Sequence, residues 1–176
     1  MRHLKQHGNT ENFMEALLRN HKVYRPIVEI LDNIVIDAKE LSWLDFEEIA
    51  VAISKVNNSG FCKEIHRGTK DAINNNKSSI SVSKNLDSMM LLSLKLNENP
   101  NAITVEDIKM VQEKGWSDES IENAISWVGA VNMYNTMANG FGFSDELPSE
   151  AFDQMAEETI NRGGYISVFD YFASQM

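Results

Sequence analysis

A chain of 176 residues, 43% hydrophobic and 24% charged, has the size and balance of one globular domain that can bury a core. Its formal net charge of -10 excludes nucleic acid and anionic membrane surfaces as principal partners, since both would repel it. The lone cysteine excludes an internal disulfide framework, and the N-terminal stretch lacks an apolar leader core, so the expected compartment is the reducing cytoplasm.

Residues 1–9 are polar and read as a frayed end; His3 and His7 have the spacing of a helical metal pair, which a mobile terminus does not hold together. Thr10 is placed to cap a helix through about Asn20, with Phe13, Leu17 and Leu18 turned inward. Pro26 suits the first turn of the next helix, to about Val35, whose buried stripe is Ile27, Ile30, Leu31, Ile34 and Val35. Ser42 caps a helix carrying Trp43, Phe46, Ile49, Ala50, Ile53 and Val56 on its apolar side. Asn57-Asn58-Ser59-Gly60 breaks it, and a further helix runs from about Gly60 to Asn74 before a polar loop, Asn74 to Ser79.

The pattern resumes at Leu86 to Leu96, apolar on nearly all sides, and pauses at the Pro100 linker. Thr104 and Asp107 form a capping-box pair for a helix to about Glu113, stopped by Lys114-Gly115. Ser117 caps a long helix reaching Gly140, with Ile121, Ala124, Ile125, Val128, Val131, Tyr134 and Met137 at helical spacing. A last helix spans Pro148 to about Asn161, and Gly163-Gly164 separates it from an aromatic tail, Tyr165 to Ser174. No segment alternates as a strand does, so the predicted class is all-α. The most apolar stretches, Ile27 to Ile36 and Ile121 to Met137, are interrupted by Glu29, Asp32, Glu122 and Asn132 and do not read as membrane spans.

Chemistry concentrates between Glu47 and His66. Ser59, Cys62 and His66 share one face of the predicted helix from Gly60, with the thiol one turn before the imidazole. Glu47 stands on the preceding helix, which must fold back against this one. With Ser59 as N-cap, Cys62 occupies the third helical position, where the helix dipole and a protonated His66 favour a thiolate. Taken singly, each residue has a plainer reading: a buried thiol, a capping serine, a core histidine. Nine methionines are adaptable core filler. Zinc spacing, a phosphate loop and a flavin fingerprint are lacking, so no cofactor and no metal are expected.

The run Leu41 to His66, followed by Ile103 to Gly142, resembles the alkylhydroperoxidase D-like branch of the carboxymuconolactone decarboxylase family. That family shows a glutamate, eleven residues, then Cys-x-x-Cys-x-x-x-His; here the register gives Glu47, Ser59, Cys62 and His66. Gly115-Trp116-Ser117-Asp118-Glu119 and the pair Asn132 and Asn135 match the family's downstream pattern. The resemblance covers residues 26–142 and implies a single-domain helical bundle over 1–176, with 148–176 as a C-terminal helical extension. It also implies a homo-oligomer, trimer or hexamer.

Ser59 replaces the first cysteine of the redox pair, so an intramolecular disulfide cycle cannot run. The resemblance then implies an antioxidant, peroxidase-like oxidoreductase in which Glu47, helped by His66, takes the Cys62 proton. Cys62 would reduce a hydroperoxide, and an external thiol or protein reductant would restore it. A second reading drops the thiol: Glu47 and His66 act as acid and base on a small carbonyl or lactone substrate, with Lys63 or Arg67 holding an anion. A third is a non-catalytic oligomeric binding protein.

Overall fold

The structure is a computed structural model describing residues 2–76, 82–83 and 85–176, which are all-α with no strand among them. The chain runs through α1 (Phe13–Leu18), α2 (His21–Asp37), α3 (Trp43–Val56), α4 (Gly60–Asn76) and α5 (Leu86–Glu98). It continues through α6 (Val105–Gln112), α7 (Asp118–Phe141), α8 (Ser149–Arg162) and α9 (Tyr165–Ala173). Antiparallel α3 and α4 form the centre, with α7 and α5 against α3, α8 against α4, and α2 paired with α9. Among the described residues no helix is long and apolar enough to cross a membrane.

Local chemistry sets most boundaries as the sequence implies. Ser42 with Asp45 and Thr104 with Asp107 each close a reciprocal capping box, and Ser117 accepts the Ser120 N–H at the start of α7. Gly142 and Gly163 end α7 and α8 in the left-handed conformation. Between α3 and α4, Asn58 takes that conformation at φ 52°, so the Ser59 N–H reaches back to Ser54 O and the Asn58 N–H to Lys55 O. These two bonds complete a Schellman turn, with asparagine at the position glycine usually fills.

Several expectations are corrected. The N-terminus is not frayed: the His3 N–H donates to Phe141 O, Arg2 donates to Gly142 O, and His7 is buried against Phe141. Asn12, not Thr10, caps α1. Helix α2 begins at His21, placing Pro26 inside it, because the added turn packs Tyr24 against the core. Its buried stripe is Val28, Leu31 and Asp32, and Ile30 is exposed. Helix α4 continues through Asn76, past the expected stop at Asn74; Lys77 to Ser79 of the expected loop lie outside the described residues. The aromatic tail folds as α9, with Tyr165, Val168 and Phe169 buried.

The α4–α8 contact depends on Gly68, where an added Cβ would lie 3.1 Å from Ala156 Cβ and 3.2 Å from Phe152 O. Lacking a side chain there, α4 lets α8 settle close against it.

Candidate functional site

Glu47 is the fixed point. It lies on α3 with its side chain wholly buried, and three donors converge on its carboxylate. Trp43 Nε1, one turn earlier, donates to Oε1 at 2.7 Å, and the Tyr165 hydroxyl donates to the same oxygen at 2.6 Å. His66 Nδ1 lies 2.7 Å from Oε2. A buried carboxylate is tolerated when its lone pairs are filled in this way. Because carboxylate oxygens accept, the imidazole carries a proton on Nδ1 and Nε2 is left as its other face. Nε2 has no hydrogen-bond partner among the described residues, and His66 lines a cavity of about 570 Å³.

The register of Glu47 is set at the start of α3. Asp45, itself fully buried, accepts from Ser42 in the capping box and from Ser83 N and Oγ at 2.7 and 2.8 Å. That tie fixes the first turn of α3 to the segment preceding α5. Glu48 lies on another face, 3.6 Å from Lys70.

Cys62 sits at the third position of α4, one turn before His66, and lines the same cavity. It is 2% exposed, and burial pushes its thiol up to about 11, a rise tempered by the Ser59 hydroxyl. The expected thiolate preference is therefore corrected: loss of water outweighs the partial charge of the helix N-terminus. Ser59 is also corrected as a side-chain cap. It precedes α4 and its backbone carbonyl receives the Lys63 N–H, but its buried hydroxyl accepts no N–H of the first turn. It is not among the residues that line the cavity.

Lys63 and Arg67 do not reach the cavity. Lys63 pairs with Glu64 and Asp145, and Arg67 bonds Glu64, Asp71 and Asp153, joining α4 to α8. The charged side chains on the lining are the carboxylates Glu11, Glu15 and Glu158; no lysine or arginine lines it among the described residues. Most other walls are apolar, including Leu17, Phe61, Ile65 and Met155.

Sequence reasoning missed Tyr165, Asp32, Trp43 and Tyr134. Asp32 accepts the N–H groups of Tyr165 and Ile166 at 2.9 and 2.7 Å, capping α9 from another helix. Burial still raises its pKa, with those two bonds opposing. Tyr165 is thereby aimed at Glu47, and burial beside that carboxylate keeps its phenol protonated well above its usual range. The Trp43–Glu47 spacing of four was a usable signal; a tyrosine donor to Glu47 from 118 residues along the chain was not.

No protein-family model and no curated protein matches this chain. Among solved structures it is similar to an uncharacterized peroxidase-related protein from Silicibacter sp. TM1040, with a TM-score of 0.66 and 17% identity, over 80% of this chain and 77% of that one. It is also similar to one from Ralstonia eutropha JMP134 described as an alkylhydroperoxidase AhpD core. There the TM-score is 0.67 and identity 20%, over 81% of this chain and 78% of the other.

Proposed function

From the premise that the chain has the alkylhydroperoxidase D-like fold, we propose that it is a single-cysteine hydroperoxidase working through Cys62, His66 and Glu47. One observation supports this reading: the 2.7 Å Glu47–His66 pair occupies Nδ1 and leaves Nε2 unpartnered, on a residue that lines the same cavity as Cys62, one turn away. The thiol rests protonated, so the reaction begins when Nε2 takes its proton. The thiolate sulfur attacks the distal peroxide oxygen, the O–O bond breaks, and the departing alkoxide takes the proton back from the imidazolium. The products are a Cys62 sulfenic acid and an alcohol.

Glu47 orients the ring and stabilises its charged state; Tyr165 and Trp43 orient Glu47. With no second cysteine, one external thiol condenses with the sulfenic acid, releasing water and leaving a mixed disulfide. A second external thiol then frees Cys62.

The test is intact-mass detection of trapped sulfenic acid during titration with cumene hydroperoxide. Glu47→Gln and His66→Ala are each expected to slow oxidation by roughly 100-fold or more, the usual scale of a lost proton acceptor. Oxidation indifferent to both substitutions overturns the reading. The raised thiol favours one rival, acid–base chemistry by Glu47 and His66 alone. That rival requires turnover of a carbonyl substrate to survive Cys62→Ala and to vanish in His66→Ala.

A further inference from the structure

Tyr134 projects from α7 into the wall of the cavity, its ring held edge-on by Phe13 at 6.2 Å. Its hydroxyl is buried and has no hydrogen-bond partner among the described residues. An unpaired buried hydroxyl costs stability, so one kept on a side chain that lines a cavity is best explained by a ligand that completes it. Burial holds the phenol protonated, and therefore a donor.

The charges around it narrow the ligand further. Glu11 and Glu15 have no ion-pair partner among the described residues, and Glu158 is matched by Arg162 at 2.7 Å. An added carboxylate would meet like charge with no cation to receive it. The volume, about 570 Å³, lies in the range of sites for drug-sized molecules and far exceeds hydrogen peroxide.

We propose that Tyr134 donates to the substrate oxygen, and that the cavity takes a bulky apolar molecule whose polar head is an uncharged oxygen group. On the hydroperoxidase reading, which this inference extends, the substrate is a carboxylate-free organic hydroperoxide. Tyr134 then donates to the peroxide oxygen that departs as alkoxide, easing its developing charge while His66 returns the proton. The products and the proton balance are those given above.

Binding decides the inference without requiring turnover. Cumene, cumyl alcohol and 4-isopropylbenzoate share one apolar body and differ in the head. Each is titrated against the neutral fluorophore N-phenyl-1-naphthylamine bound to the full chain. Cumyl alcohol is expected to compete at least about fivefold better than cumene in the native protein, the worth of one hydrogen bond. Tyr134→Phe erases that preference while melting no lower, since it removes only an unpaired hydroxyl. 4-Isopropylbenzoate is expected to compete at least about tenfold more weakly than the alcohol, and Glu11→Gln/Glu15→Gln narrows the gap.

An alcohol preference that survives Tyr134→Phe overturns the donor assignment, and equal competition by the carboxylate overturns the substrate class. Native protein that shows the Tyr134-dependent preference, yet leaves Cys62 unoxidised by cumene hydroperoxide, supports this site and overturns the hydroperoxidase reading instead.

Discussion

At the scale of the residue, Cys62 is governed by two opposed fields. Its helical position places it at the positive end of α4, but its 2% exposure removes the water a thiolate needs, and the second effect prevails. A resting thiol near 11 is a poor nucleophile toward a simple alkylating agent, which brings no base of its own. Iodoacetamide labelling is therefore expected to accelerate about tenfold per pH unit between pH 8 and 10. A rate already level at pH 8 in a stopped-flow or mass assay would show that the thiol ionises near its ordinary value. Ser59, legible as an N-cap, loses that role because the Asn58 turn commits its N–H to ending α3 and leaves its hydroxyl against the thiol.

At the scale of the element, α9 is held to the site by Asp32. Two backbone N–H groups of its first turn end on that carboxylate, which presses so close that a Cβ on Gly164 would lie 2.5 Å from Asp32 Oδ2. Gly164 has φ 148°, outside the range other residues favour, so both conformation and space require glycine. Asp32→Ala is expected to destabilise the protein by about 2–3 kcal/mol, leaving two buried donors unpaired. Hydrogen exchange should show α9 opening, with faster exchange at Tyr165 and Ile166 than in α3. Protection of α9 unchanged by Asp32→Ala would mean that its apolar face alone seats it. The side-chain bond from Tyr165 to Glu47 ties this element to the chemistry, so the same variant should also slow Cys62 oxidation.

At the scale of the molecule, burial raises three protonated groups together: Cys62, Tyr134 and Tyr165. A folded-state pKa above the unfolded value gives stability that is complete below the unfolded pKa and lost as pH rises through the folded one. For Cys62 those limits are 9.0 and about 11, a shift worth up to ~3 kcal/mol, and the tyrosines extend the loss upward from 10.0. Thermal midpoints should stay level from pH 7 to 8.5 and fall from pH 9 onward. In Cys62→Ala the fall should begin about one unit later. A midpoint indifferent to pH up to 10.5 would contradict the burial of these groups.

The sequence by itself determined the all-α class, the caps at Ser42, Thr104 and Ser117, and the stops near Gly115 and Gly163, and it ended α7 at Gly140, two residues before the Gly142 cap, because those are local consequences of side chain and backbone. It also placed Glu47, Cys62 and His66 in register, since helical spacing and one tight turn suffice to bring α3 against α4. Only the tertiary structure decided what surrounds them. Tyr165 and Asp32 meet across 133 residues, and the unpaired Tyr134 hydroxyl acquires meaning only beside a cavity. Whether Cys62 rests as thiol or thiolate likewise depends on the exclusion of water by α1, α7, α8 and α9, which no local spacing encodes.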